Sequence, residues 1–276
     1  MAAVADDPAA APGPSNLRLR VQSGIVMLAV AAICVWAGGL LFDLLVIGVS
    51  GLMLLEYNAL TAPGAARDGT PGRAFALVAA PVAVALVVAA YGWPIIGLLV
   101  LCAAAVPVSL FLAPMQDRAP IWALIGPLYV GIPAIALIWL RQQPDGIAWV
   151  LWLMGVVVAT DIGGYAAGRT IGGPKLAPRI SPKKTWAGLI GGLAGAAIVG
   201  LIAAPWLGIG SFALVVLSAV LAVWEQAGDL FESGIKRHFG VKDSGTIIPG
   251  HGGVLDRVDG LLFVAPAVAL IAAVAG

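Results

Sequence analysis

Nine apolar runs, joined mostly by connections too short to fold alone, take up nearly all of this chain. They fall at roughly 22–38, 40–56, 74–91, 94–113, 121–140, 147–165, 186–204, 210–228 and 260–275. A helix needs about 20 predominantly apolar residues to cross a bilayer. The weakest boundary is the first, where only Gly38, Gly39 and the nearby Asp43 interrupt the pattern. Pro81, Pro94, Pro107, Pro127 and Pro133 lie in or beside the runs, and spanning helices tolerate them because neighbouring groups satisfy the freed backbone. The composition agrees with this class. The chain is 61% hydrophobic and 11% charged, whereas a soluble domain carries about 25% charged residues. The expected fold is an all-α polytopic membrane protein of about nine transmembrane helices. It forms a single integral-membrane domain over residues 21–276, preceded by an Ala/Pro-rich disordered tail over residues 1–20. Asp6, Asp7 and the prolines precede the first positive charges, which argues against a cleaved signal peptide. Cys34 and Cys102 lie inside apolar runs and are expected to be buried, reduced thiols.

Charge sets the direction of insertion. With the N-terminus in the cytoplasm and nine alternating spans, every Lys and Arg of the 15 except Arg141 falls on the inner side. That is the bias expected of cytoplasmic loops. The expected location is the cell (inner or plasma) membrane, with two long polar loops facing the cytoplasm and forming the site.

The first loop, ATDIGGYAAGRTIGGPKLAPRISPKKTWAG, covers 159–188. Asp161 lies near the inner end of the sixth span, where a carboxylate is a functional candidate by default. Arg169, Lys175, Arg179, Lys183 and Lys184 follow without a carboxylate among them. They call for anions, either lipid headgroups or a bound phosphate. SPKKTW, at the start of the next helix, points to phosphate. Ser181 and Thr185 offer hydroxyls, Lys183 and Lys184 offer mobile charge, and a helix start offers free N–H groups. There is no GxxxxGK[ST] loop. The run GLIGGLAGAAIVG at 188–200 reads as close helix packing rather than binding.

The second loop lies within 225–260, which holds four Asp, two Glu, two Lys, two Arg and both histidines. Glu225, Asp229 and Glu232, at i, i+4 and i+7, share one helical face. The expectation is that one of them matters most and that Glu225 or Glu232 is solvated. Asp229 ends one span and Asp256 begins the next, so a loop folding back could join them around Mg²⁺, which takes one or two carboxylates plus substrate phosphates. Lys236, Arg237, Lys242, Asp243, Arg257 and Asp259 supply further charge. Gly252 and Gly253 let backbone approach a ligand. His251 is read as a hydrogen-bonding residue of the Gly-rich turn, and His238 as a surface residue. Carboxylates for a divalent cation, with many cations for phosphates, are the parts of phosphoryl or nucleotidyl transfer.

The segment SGIKRHFGVKDSGTIIPGHGGVLDRVD at 233–259, with GDLFES before it and SPKKTW upstream, resembles the signature of the phosphatidate cytidylyltransferase (CDP-diacylglycerol synthase) family. The likeness is strong over 159–260. It departs at Ala187, where an acidic residue would be expected before Gly188, and it assigns no role to Glu56. The resemblance implies transfer of CMP from CTP to phosphatidic acid. It places Mg²⁺ on Asp229 and Asp256, with room for a second cation such as K⁺. It implies a catalytic group of Asp229, Lys242, Asp243, Asp256, Arg257 and Asp259. Asp161, Ser181, Lys183, Lys184, Thr185, Lys236, Arg237, His251, Gly252 and Gly253 would line the substrates. SPKKT would take CTP, and Lys236 and Arg237 would lie near the lipid headgroup. CTP, phosphatidic acid and the bilayer are the expected partners, no nucleic acid is, and a homodimer suits an enzyme of this class. Two other readings remain open at this point: a CTP-dependent enzyme acting on another lipid phosphate, and a transporter of an anionic substrate. The transporter should show paired interrupted helices in two repeats, whereas the polar residues here crowd the C-terminal part.

Overall fold

The computed structural model describes residues 14–61, 71–115, 119–248 and 252–275. Every expected apolar run is helical. The helices are α1 (Pro14–Ala37), α2 (Gly39–Thr61), α3 (Pro71–Ala90), α4 (Pro94–Met115), α5 (Pro120–Gln142), α6 (Gly146–Thr170), α7 (Trp186–Leu207), α8 (Ser211–His238) and α9 (Leu255–Ala275). Seven are long and apolar enough to cross a membrane, and two shorter apolar stretches, Val21–Ala37 and Phe75–Ala90, accompany them. The protein is therefore a multi-pass helical membrane protein. A hairpin, β1 (Lys175–Ala177) against β2 (Ser181–Thr185), is antiparallel and stands between α6 and α7.

Several helix ends differ from the sequence reading, among them α2, which runs to Thr61, and α6, which runs to Thr170; three further differences bear on the site and the tail. Helix α1 begins at Pro14, so residues 14–20 belong to it and not to a disordered tail; proline suits a first helical position, where its missing N–H costs nothing. Helix α8 continues ten residues past the expected end at 228, to His238. Its last turn holds Lys236, Arg237 and His238, whose charge is favourable near the carbonyl end of a helix dipole, and Gly240 with φ of 72° turns the chain away. Helix α9 starts at Leu255, so Asp256 and Asp259 are helical residues and the loop between α8 and α9 is confined to 239–254.

Helix α5 is the central span: 61% of the residues in its most apolar stretch are buried, against no more than 39% in any other of the seven long spans. It packs on α2, α3, α4 and α9, while α6, α7, α8 and α9 pack in sequence as a second group. In contrast, α1 touches α2 and only lightly α6, leaving Ile25, Leu28, Ile33 and Trp36 exposed. Both cysteines are free, but Cys102 is exposed and Cys34 only half-buried. The expectation of burial fails because an apolar run in a membrane protein faces lipid as readily as core.

Candidate active site

The site begins where α6 and α7 meet. Glycines remove the side chains that would hold these helices apart. A Cβ on Gly188 would stand 2.9 Å from the Gly164 carbonyl oxygen, and one on Gly195 would stand 2.7 Å from that of Ala159. The 188–200 run is thus a packing surface, as expected. Strand β2 enters α7 through Thr185, whose hydroxyl accepts the Gly188 N–H at 3.0 Å. Ser181, Lys183 and Lys184 therefore lie on the strand ahead of the helix rather than on its first turn. Lys183, Lys184 and Thr185 line a pocket of about 410 Å³ with Asp161, Arg169, Gln226 and Asp229, floored by Gly164, Gly168 and Gly188.

Helix α8 brings its carboxylates to this pocket. Lys184 Nζ forms an ion pair with Asp229 and donates to Gln226 Oε1 at 2.9 Å. Gln226 Nε2 in turn donates to Glu225 Oε2 at 2.7 Å. Glu225 and Glu232 are 1% and 0% exposed, which overturns the expectation that one of them is solvated. Glu225 fits because its neighbour on α9 is Gly260, where a Cβ would stand 2.6 Å from Oε1. Spacing placed the three acids on one face; which element covers that face was not written in it.

The loop half is tied more tightly. Lys236 Nζ donates to Glu232 Oε2 at 2.8 Å and to Asp256 Oδ1 at 2.7 Å. Asp256 also accepts the backbone N–H groups of Ser244, at 2.9 Å, and of Gly253, at 3.0 Å. Lys236 is thus engaged by two carboxylates. Arg237 is separated from it in role: its exposed guanidinium donates to the carbonyls of Ile180 and Val241, at 3.4 and 3.2 Å. That links the end of α8 to the hairpin turn. Lys242 and Asp243 are exposed on the loop. Gly252 adopts φ of 86° and accepts the Ile248 N–H through its carbonyl at 2.9 Å, which shapes the turn. His251 lies outside the described residues. His238 is exposed, as expected, with its ring 4.7 Å from that of Trp122.

Glu56, which received no role from the sequence, is the residue that holds this loop. It reaches from the C-terminal part of α2 and is 3% exposed. Its carboxylate accepts the N–H groups of Val254 at 2.9 Å and Leu255 at 2.8 Å, and the Ser244 hydroxyl at 3.4 Å. Two free N–H groups at the start of α9 are thereby satisfied by a charged acceptor from another helix. Gly245 and Gly253 make room, since a Cβ on either would stand 2.7 to 2.8 Å from a Glu56 oxygen. A lone carboxylate in the apolar run LMLLEYNAL was signal enough to suspect it.

The remaining acids gather nearby. Asp259 accepts its own helix's Gly260 N–H at 2.8 Å and lies within electrostatic range of Asp229 and Asp161. Asp161 interacts in the same way with Asp229, Lys184 and Arg257. Among the described residues no three His, Cys, Asp or Glu side chains close into a complete metal cage. Mg²⁺ needs no such cage, because it keeps waters and takes one or two carboxylates with substrate phosphates. The donor set fits it: hard oxygens outnumber the lysines among them, and the buried Glu232 Oε1 lacks a hydrogen-bond partner.

A family model described as "Cytidylyltransferase family" matches residues 18–275. The chain belongs to the cytidylyltransferase family. Similar members include a protein of Brucella suis named phosphatidate cytidylyltransferase, 38% identical over 266 residues, which cover 94% of each chain. A protein of the same name from Staphylococcus saprophyticus is 44% identical over 147 residues, 52% of this chain and 56% of its own. One from Rickettsia bellii is 41% identical over 160 residues, 55% of this chain and 69% of its own.

Proposed function

We propose that this protein is a CTP:phosphatidate cytidylyltransferase, forming CDP-diacylglycerol and pyrophosphate at the cytoplasmic face of the cell membrane. The observation that carries the reading is one pocket in which Lys183, Lys184 and Thr185 face Asp161 and Asp229, within a family of cytidylyltransferases. The excess of Lys and Arg in the connections expected to face inward, with Arg141 the exception in the sequence, supports a cytoplasmic orientation. Arg141 is itself absorbed, donating to the Val35 carbonyl at 2.7 Å and the Trp36 carbonyl at 3.1 Å.

The hairpin lysines and the Thr185 hydroxyl bind the CTP phosphates. Arg257 faces the phosphate of the lipid. A phosphate monoester is largely ionised near neutral pH, so its oxygen attacks without a strong general base. A bond forms between that oxygen and the α-phosphorus of CTP, the bond from the α-phosphorus to the bridging oxygen breaks, and pyrophosphate leaves. Asp229, Asp256 and Asp259 are the residues that would hold Mg²⁺; Asp256 and Asp259 lie one turn apart on α9. When bound, the ion neutralises charge on the reacting phosphates and on pyrophosphate. Lys236 keeps Asp256 ionised and oriented, and Glu56 fixes the backbone that presents it.

The test is direct. Purified protein is incubated with CTP, Mg²⁺ and a panel of lipid phosphates, and the liponucleotide is identified by mass spectrometry. CDP-diacylglycerol from phosphatidate is the expected product. A product formed only from an isoprenoid phosphate would move the assignment to another acceptor, and no product with any acceptor would end the enzymatic reading.

A further inference from the structure

A second cavity, of about 380 Å³, lies between α1, α2, α5, α6 and α9. Its walls are apolar, with Met27 and Val30 from α1, Val49 from α2, Met154 from α6 and Leu261 from α9 among them. The polar exceptions in its lining are Ser50 and Arg257. Arg257 is exposed, on the first turn of α9 beside Asp256. It also lies within electrostatic range of Asp161, which lines the phosphate pocket. Arg257 stands on α9 between Asp256 and Asp259, so the charged end of this cavity borders the proposed site.

Resting on the reading above, we propose that this cavity holds one acyl chain of the lipid acceptor, with the lipid's phosphate at Arg257. A cation at one end and hydrocarbon along the rest complement an anionic headgroup followed by an apolar tail. A nucleotide, whose base, ribose and phosphates all need polar partners, does not suit such walls. The outer wall also provides a route of entry. Helix α1 is packed on α2 and barely on α6, so a chain can pass beneath it from the bilayer without leaving an apolar medium. CTP, by contrast, reaches the lysine pocket from water. The two substrates meet at Arg257 and Asp161 from opposite surroundings.

Ala31 of α1 lines the cavity and is half-buried, and α1 is loosely held, so Ala31→Trp fills the space at small cost to the fold. Kinetics on the full chain compare dioleoyl phosphatidate with dibutyryl phosphatidate, whose chains are too short to occupy the cavity. The ratio of the two KM values should rise about tenfold in the variant, as expected when several methylenes lose their site. An unchanged ratio overturns the proposal. The wild-type protein gives a second measurement, using phosphatidate with a diazirine in mid-chain. Adducts should fall on the peptides of Met27, Val30 and Val49, and unlabelled phosphatidate but not phosphatidylcholine should compete them away. Adducts spread over the exposed faces of α4 and α7, or equal labelling by a diazirine phosphatidylcholine, would mean ordinary surrounding lipid and overturn it. Turnover with phosphatidate but no labelling of the cavity sinks this inference alone. Absence of turnover with every acceptor sinks the enzymatic reading beneath it.

Discussion

The two halves of the site use charge in different ways. On the hairpin half, Lys183 is exposed and Lys184 reaches a single carboxylate, on a scaffold that glycine has emptied of side chains. On the loop half, Lys236 is shared by two carboxylates whose side chains are 1% and 9% exposed. Asp256 is held by two backbone N–H groups, and Glu56 by two more and a hydroxyl. The first half keeps its cations for a ligand. The second spends most of its charge on its own geometry. A polyphosphate needs mobile positive charge, whereas a metal-binding carboxylate needs a fixed position. The contrast fits the proposal that the hairpin half meets CTP and the loop half presents the reacting centre.

The largest effect should come from the fixed half. Asp256→Asn is expected to lower Mg²⁺-dependent pyrophosphate release on the order of 10²–10³-fold. Asp229→Asn should do the same, and the double variant should be little worse if both serve one centre. Turnover near wild type in Asp256→Asn would remove that residue from the centre.

Next is the buried ion triad. Lys236→Met leaves Glu232 and Asp256 without the cation they share, and should cost about 3–5 kcal/mol in a denaturant or thermal assay. Adding Glu232→Gln should restore most of the stability without restoring activity. Recovery of activity as well would mean that Lys236 serves only the fold.

Glu56→Gln keeps the shape of the loop clamp but gives up the charge. The charge-assisted bonds to the α9 start should weaken by about 1.5–3 kcal/mol in all, read as a lower kcat with the KM for CTP little changed. A selective rise in that KM would instead place Glu56 on the nucleotide side of the comparison. The hairpin half should answer in the opposite way. Lys183→Met is expected to raise the KM for CTP about tenfold at unchanged melting temperature. The smallest effect is Thr185→Ala, which loses the cap of α7 and about 1 kcal/mol of stability by thermal denaturation, and with the hydroxyl's phosphate contact gone raises the KM for CTP less than Lys183→Met does.

How much of this was legible in the sequence depends on what each residue answers to. Spans are set by the solvent around them, so their number and order could be read from hydropathy. The signature residues Asp229, Asp256 and Asp259 could be found because charge is expensive among apolar runs. Burial could not be read, because lipid and protein interior look alike to an apolar side chain; hence Cys102 was expected inside, and Glu225 or Glu232 outside. Helix ends were misplaced where partners from other elements decide them. Helix α8 runs on to His238 because its last acids and lysine are satisfied by α9 and the loop. The hairpin was missed because Gly172 and Gly173, with φ of 69° and 95°, lie in a run whose Gly and Pro suit any irregular connection. Glu56 was visible as an anomaly, but its partners lie 188 to 199 residues away.

That separation has a consequence for how the protein is made. Glu56 is synthesised and inserted long before the segment that receives it, and no local contact can stand in for the N–H groups of Val254 and Leu255. A chain released before α9 has entered the bilayer holds an unsatisfied carboxyl group in an apolar helix, an exposed polar defect that cellular quality control can recognise. The same bonds make entry of α9 the moment at which Asp256 is first set in place, so the site forms only once α2 and α9 stand in the bilayer together.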